Sequence, residues 1–527
     1  MAAAGPKEED RLSDLPDGVV GHVLSFLSAQ EAARAAVLSR RYRHAFASVH
    51  TLSFVQEQGS SSTDANSNDF EYRENFEKDR NEGFVALVDA AISCRRRCAG
   101  GGADPGLRAF RVAFDSYHHS LAGDVDRWLS AATSGGDGGA VEEIHVDARR
   151  QEQRQCAREL TEWYYSKNSY DRMVELKDES DGDDADDFRN PNTRDRAYHV
   201  PRWLYSGAAA AASLRKLCLG SCFLDLPAGE AANLHFPSIE TLALIWIPDS
   251  GRDIQLLICS CPRLVDLTLD SCRRVRAVTV LNTRLRRLVL RCCHGARLTV
   301  DASDLRVLVY RGPVPDESVL SFAGSPPAIV SCDIEFCGKM ASSEAELVNA
   351  NQFLARFTDA RWLRLGSSCM GSGMEKTNSL GLGLGIRQLE LKGALTSSSA
   401  ISAVTRILEQ TPNLEVLTLL ILPDVQEFPR YPDAVICDPD VVGLDDVPDD
   451  VPPVIPCLRN RVREINVVHY QGRVAQRSLL KLLLLRSGSA LEELCVVFPE
   501  GKYAVQSMLM GEIESWVMDR PVKVVFA

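Results

Sequence analysis

A chain of 527 residues is longer than one hydrophobic core usually organises, so several domains or one elongated repeat array is expected. Apolar content of 45% and charged content of 25% are those of an ordinary water-soluble protein. The 59 basic and 72 acidic residues leave a formal charge of −13, which argues against non-specific nucleic-acid binding, where phosphates demand a surplus of Lys and Arg.

At the start, MAAAGPKEED puts charge ahead of any apolar run, the reverse of a secretory signal. No uncharged apolar stretch approaches a membrane span; residues 479–485 come nearest, and Lys481 interrupts them. The expectation is a soluble protein of the cytoplasm and/or nucleus whose 16 cysteines are mostly free thiols.

Residues 12–50 read as a compact three-helix unit. Leu15-Pro16 opens it, and Val19, Val20, Val23, Leu24 and Leu27 line one wide apolar helix face. Ser28-Ala-Gln-Glu31 has the form of a capping box for a second helix, and Ser39 is placed to cap a third that carries Tyr42 and Phe46. So small a core gains stability by docking on a partner. Residues 51–105 read as a linker leading into the next domain, polar over 56–82. Gly-rich breaks follow at 100–102 and 134–139. An acidic insertion at 175–190 is expected to be disordered, and residues 438–453 form a second Asp- and Pro-rich run.

Over 106–456 the pattern apolar-x-x-apolar-x-apolar recurs. It is clear at Leu214/Leu217/Leu219, Ile239/Leu242/Leu244, Leu264/Leu267/Leu269, Leu285/Leu288/Leu290 and Leu305/Leu308/Tyr310, and it continues to Leu491/Leu494/Val496. Weaker instances stand at Leu107/Phe110/Val112 and Val141/Ile144/Val146. Successive starts from 214 to 305 differ by 25, 25, 21 and 20 residues, the period of leucine-rich repeats. Each unit is a short strand plus a return segment, with too little apolar area to fold alone. Stacking sets the strands in one parallel sheet and buries the leucines as columns. Cys222, Cys272, Cys293 and Cys337 all fall three residues past the last apolar position, where such repeats turn a small side chain inward. The fold class is α/β: an N-terminal three-helix unit, then a solenoid, a curved parallel β-sheet with an irregular or helical convex side.

The stretch LPDGVVGHVLSFLSAQEAARAAVLSRRYRHAF, residues 15–46, resembles an F-box across its full length. YHVPRWLYSGAAAAASLRKLCLGSC, FPSIETLALIWIP and LLICSCPRLVDLTLDSC look like plant F-box/leucine-rich-repeat proteins. The final region, 457–527, resembles the FBD region of the same group. The resemblance implies a non-catalytic specificity subunit of a Skp–cullin–F-box ubiquitin ligase. Leu15, Pro16, Val19, Val20, Val23, Leu24, Leu27, Val37, Leu38 and Tyr42 would hold a Skp-type adaptor, and through it cullin and RING subunits; the repeats would hold a protein substrate. Tyr42 stands where the family usually has tryptophan and Ala45 where it has leucine. Gly18 and Gly21 interrupt the first helix at about 1 kcal/mol each relative to alanine.

Blander readings sit beside these. The apolar face of 15–27 also suits a helical cap on the repeat array. Cys94-x3-Cys98 and Cys218-x3-Cys222 lack further ligands at zinc spacing, and Cys292-Cys293-His294 includes a cysteine the repeat already explains. No metal and no cofactor is indicated, and no His or Asp is placed in sequence to activate a thiol. Arg40-Arg41-x-Arg43, Arg95–Arg97 and the 273–287 arginines suit solvated edges better than nucleic acid in an acidic chain.

Residues between the buried leucines point to solvent on the concave sheet. One column runs Lys216, Thr241, Asp266, Arg287, Val307, Ser331, Trp362, Gln388, Val416, Glu464, Glu493; its neighbour runs Cys218, Ala243, Thr268, Val289, Val309, Asp333, Arg364, Glu390, Thr418, Asn466, Cys495. Mixed charges at Lys216, Asp266, Arg287, Asp333, Arg364 and Glu390, with Trp362 as an aromatic anchor, suit a protein partner. Two alternatives stand: a ligand-sensing receptor roofed by insertions 366–380 and 423–456, or an interaction scaffold outside any ligase.

Overall fold

A computed structural model describes residues 15–38, 40–56, 70–98, 106–115, 117–134, 140–149, 194, 197–206, 212–226, 234–293, 295–323, 327–336, 344–371, 374, 382–395, 397–422, 454–499 and 503–527. These fall into two compact units. The first holds the described residues up to Asp266 with Cys272–Arg274; the second holds Leu267–Ser271 and those from Val275 onward. Both acidic runs, Ser39 and Cys337 lie outside the described residues.

The first unit opens with three helices, α1 (Asp17–Leu24), α2 (Ala29–Leu38) and α3 (Arg40–Ala47). The capping box forms: the Ser28 N–H donates to Glu31 Oε2 at 3.0 Å and the Glu31 N–H to Ser28 Oγ at 3.2 Å. Gly21 has a packing reason. A Cβ there would lie 2.8 Å from Ser48 Cβ, so only glycine lets α1 approach the residue that follows α3.

The linker expected over 51–105 is instead a strand, β1 (Thr51–Val55), and a long helix, α4 (Phe70–Cys98). Val49, Leu52 and Phe54 are each no more than 2% exposed and carry the repeat's own apolar spacing. In α4 the buried Phe84, Val88 and Ala91 recur at helical spacing within a strongly charged stretch that masks them. Strands β2 (Ala109–Ala113) and β3 (Glu143–Asp147) follow, then the two-residue β4 (Tyr198–His199), β5 (Lys216–Gly220), β6 (Cys222–Phe223) and β7 (Thr241–Ile245). The weak sequence instances at 107 and 141 are therefore true repeats. Parallel pairing aligns Leu52, Phe110, Ile144, Leu217 and Leu242 as one buried column. Helix α5 (Ala122–Thr133) buries Val125, Trp128 and Leu129 in the same unit.

In the second unit, β8 (Asp266–Asp270, from Leu267 onward), β9 (Ala277–Leu281), β10 (Arg287–Arg291), β11 (Arg297–Asp301), β12 (Val307–Gly312) and β13 (Leu320–Phe322) alternate main and return strands. β9, β11 and β13 pair parallel in a small sheet of their own. The main strands continue as β14 (Ser331–Phe336), β15 (Trp362–Cys369), β16 (Gln388–Ala394), β17 (Val416–Leu422), β18 (Glu464–Val468), β19 (Glu493–Val497) and β20 (Lys523–Phe526), all parallel. Their leucine column runs Leu288, Leu308, Cys332, Leu363, Leu389, Leu417, Ile465, Leu494. Where repeats are near 20 residues the returns are short strands. Longer repeats make room for helices, among them Glu344–Leu354, Ser398–Glu409 and Val474–Arg486.

One backbone device repeats. The residue directly after β5, β7, β8, β10 and β18 is left-handed without being glycine: Ser221 (φ 55°), Trp246 (54°), Ser271 (54°), Cys292 (48°) and His469 (63°). That kink aims the next side chain inward, and Cys222, Ile247, Cys272, Cys293 and Tyr470 are all buried. The Cys272 thiol donates to Leu244 O at 3.4 Å and the Cys293 thiol to Leu269 O at 3.6 Å. Three of the four expected cysteines thus occupy the inward site.

Candidate protein-docking surfaces

The helical unit divides its apolar residues between two sides. Val20 and Leu24 face the interior at 4% and 5% exposure, whereas Val19, Val23, Phe26 and Leu27 stand out at 43%, 49%, 78% and 38%. Val20 and Leu24, expected on the docking face, therefore hold the unit together. Phe26 joins the outer patch instead, and it belonged to the F-box-like pattern without being assigned there. Pro16 is exposed, Leu15 and Tyr42 are half-buried, and the side chains of Val37 and Leu38 lie outside the described residues.

Polar contacts link the elements behind this patch. Arg41 Nε is 2.9 Å from Asp17 Oδ1, and another Arg41 nitrogen donates to Leu15 O. Ser25 Oγ donates to Gly21 O at 2.8 Å and accepts the His50 N–H at 3.1 Å. The rings of His22 and His50 meet at 2.9 Å between Nδ1 and Nε2, tying α1 to the start of β1. Burial, with His22 and Arg108 nearby, holds the His50 imidazole below its ordinary range.

Both columns between the buried leucines keep the register read from the sequence, but not all of their members face solvent as expected: Cys218, Val289 and Val309 are buried. In the first unit Lys216 pairs with Thr241 and Cys218 with Ala243. In the second, Arg287, Val307, Ser331, Trp362, Gln388, Val416, Glu464 and Glu493 align, as do Val289, Val309, Asp333, Arg364, Glu390, Thr418, Asn466 and Cys495.

Of the substrate-side residues, Asp333, Trp362, Arg364 and Glu390 come together. Arg364 Nε lies 2.8 Å from Glu390 Oε1 and Nη1 3.3 Å from Asp333 Oδ2, with the guanidinium 5.5 Å over the Trp362 ring. Burial still pushes the Asp333 carboxyl upward against Arg364. Asp266 and Arg287 are half-buried at the starts of β8 and β10. Lys216, in the first unit, sits 3.0 Å from Glu143 Oε1, and Glu143 also takes a two-pronged bond from Arg111, both arms at 2.9 Å. Burial opposes ionisation of Glu143, but Arg111 and Lys216 prevail and its carboxyl sits below the usual range. Glu143, one strand upstream in the Lys216 column, and Arg111, two strands upstream in the Cys218 column, were legible had the weaker repeats been extended.

Most of the two insertions suggested as a pocket roof, residues 372–373, 375–380 and 423–453, lie outside the described residues. Among the described residues, no group of three or more His, Cys, Asp or Glu is arranged to hold a metal ion, and no helix is long and apolar enough to cross a membrane. Burial raises the Cys218 thiol to about 11 and the Cys222 thiol well above its ordinary range, which suits packing rather than nucleophilic chemistry.

Comparison with known proteins agrees with this geometry. The F-box domain family model matches residues 12–54, and the model described as "FBD-associated F-box protein At5g56370, LRR repeats" matches residues 190–320. The F-box/LRR-repeat protein At3g58980 of Arabidopsis thaliana is 48% identical over 54 residues, 10% of this chain and 9% of that protein. The F-box/LRR-repeat protein At3g59200 of the same plant is 53% identical over 45 residues, 8% of this chain and 9% of that protein. The chain thus spans about a tenth of the length of the curated relatives it matches. It carries an F-box domain at its N-terminal helices and, downstream, leucine-rich repeats of the kind found in plant FBD-associated F-box proteins.

Proposed function

We propose that this chain is a non-catalytic specificity subunit of a Skp–cullin–F-box ubiquitin ligase, working in the cytoplasm or nucleus. The reading rests on the patch of Val19, Val23, Phe26 and Leu27, exposed on a segment that matches an F-box. The patch binds a Skp-type adaptor and through it the cullin and RING subunits. The strand face, centred on Trp362 and Arg364, holds a protein substrate. The work is positional: substrate lysines are held near the charged conjugating enzyme, and the gain is effective concentration.

Co-purification with a plant Skp-type adaptor tests the first half. Val23→Glu with Phe26→Ala should abolish the complex while leaving the fold intact by circular dichroism. Undiminished recovery of adaptor with that variant would sink the assignment.

A further inference from the structure

The geometry points to a second docking edge, an arginine ridge in the second unit fitted to an acidic peptide with an apolar residue at its middle. It goes beyond the ligase reading and does not depend on it.

The residue just before each main strand donates its N–H to the carbonyl of its counterpart one repeat earlier. Arg306 donates to Arg286 at 2.9 Å, Val330 to Arg306 at 2.9 Å, Arg361 to Val330 at 2.8 Å and Arg387 to Arg361 at 2.9 Å. Five successive strands therefore set these side chains in one row, at the roughly 4.8 Å spacing of neighbouring strands. All five are exposed, Val330 by 38%.

Elsewhere acids stand between the arginines of the row, and in each unit one neighbouring pair is joined. In the first unit Arg108 Nε lies 2.9 Å from Glu142 Oε2, and Arg215 and Glu240 follow. In the second unit Arg387 Nη1 lies 2.8 Å from Glu415 Oε1, and Arg463 and Glu492 follow. Between Arg286 and Arg361 no acid interrupts the row. Among the described residues neither Arg286 nor Arg361 makes an ion pair, and Arg306 gives only an N–H to Ala328 O at 3.1 Å. The nearest acids in sequence, Asp304 and Asp359, lie exposed in the preceding turns and do not pair with them. Arg286 and Arg306 on adjacent strands, with Arg361 two strands further on, repel one another, and an anionic ligand removes that repulsion.

Val330 selects among anions. An exposed valine between Arg306 and Arg361 gives an apolar contact that a phosphate backbone has no use for. The net charge of −13 also repels a long polyanion at a distance. A short Asp/Glu segment flanking one leucine or valine meets both conditions.

The test is fluorescence anisotropy of the full-length chain at low salt with a labelled Asp/Glu-rich peptide carrying a central leucine. A single-stranded oligodeoxynucleotide of equal length is run beside it. Saturable peptide binding is expected, weakened at least about tenfold by R286E/R306E/R361E and within about twofold by R463E. Replacing the peptide's leucine by asparagine should also weaken it. If the triple reversal perturbs the fold, R286Q/R361Q gives the same reading with a smaller loss. Absence of peptide binding, binding insensitive to these arginines, or tighter binding of the oligonucleotide through the same residues would overturn the proposal.

Discussion

Lys392 Nζ lies 3.4 Å from Glu335 Oε2 although a whole strand runs between them. The intervening position is Gly366, where a Cβ would come 2.9 Å from Glu335 Cγ. Both charged residues are under 10% exposed, and Arg311 Nε stands 3.8 Å from Glu335 Oε1. Removing one partner strands a buried charge, whereas replacing both does not. Lys392→Ala should therefore cost about 3 kcal/mol, moderated by Arg311, and Glu335→Leu with Lys392→Met should recover only part of it, since Arg311 then loses its contact with Glu335. Urea titration followed by tryptophan fluorescence reads this; an unshifted midpoint for Lys392→Ala would mean the pair contributes nothing.

Position along α1 separates stability from docking. Leu24→Ala should loosen the helical unit by about 3 kcal/mol, while Val23→Ala should stay within about 0.5 kcal/mol. Hydrogen exchange across residues 17–47 measures the difference. Equal protection in the two variants would contradict the inward placement of Leu24.

Ser221 is left-handed at φ 55°, and its buried hydroxyl has no hydrogen-bond partner among the described residues. Ser221→Gly removes both penalties at some entropic cost, for a net gain of about 1 kcal/mol. A lowered midpoint in chemical denaturation would show that the serine does something the structure does not reveal.

Burial raises the Asp249 carboxyl to about 6; Asp253 and Asp225 reinforce the shift, while the Leu224 N–H, 3.0 Å away, works against it. A folded value above the unfolded one means a contribution present at low pH and lost as pH rises through about 6. Asp249→Asn escapes that loss. It should exceed the parent by about 2 kcal/mol at pH 7.5 and converge with it near pH 4. His145, whose imidazole burial holds below its ordinary range, has the opposite sign: its contribution is present above the unfolded value near 6.5 and falls away in acid. The difference between variant and parent isolates Asp249, and a difference independent of pH would refute the assignment.

Much of this architecture was legible because its period is short and chemically loud. Leu217, Leu242, Leu288 and their successors announce each strand, and alternation fixes which neighbours share the other face, though Cys218, Val289 and Val309 on that face are buried. The pairing of Arg364 with Asp333 and Glu390 was implicit in that column. β1 was not recognised: Val49, Leu52 and Phe54 fit the pattern but directly follow the helical unit and precede a polar stretch. Helix α4 hid its three-residue apolar stripe among charges. Val20 and Leu24 could not be told from Val19 and Val23, since apolar residues cover both sides of α1 and only packing against α3 decides between them. The Lys392–Glu335 contact spans two strand spacings over Gly366, whose missing side chain no periodicity signals.

Among the described residues, the carbonyls in the row before the strands accept from the following repeat, so the return segment has no part in the bond. Arg286 and Arg306 are 20 residues apart and Glu415 and Arg463 are 48 apart, yet both pairs make this contact. Closing the longer loop costs only about 0.8 kcal/mol more. Insertions between repeats can accordingly lengthen at little thermodynamic expense while the spacing of the strand-borne residues stays constant, which leaves the loops free to diversify around an unchanging wall.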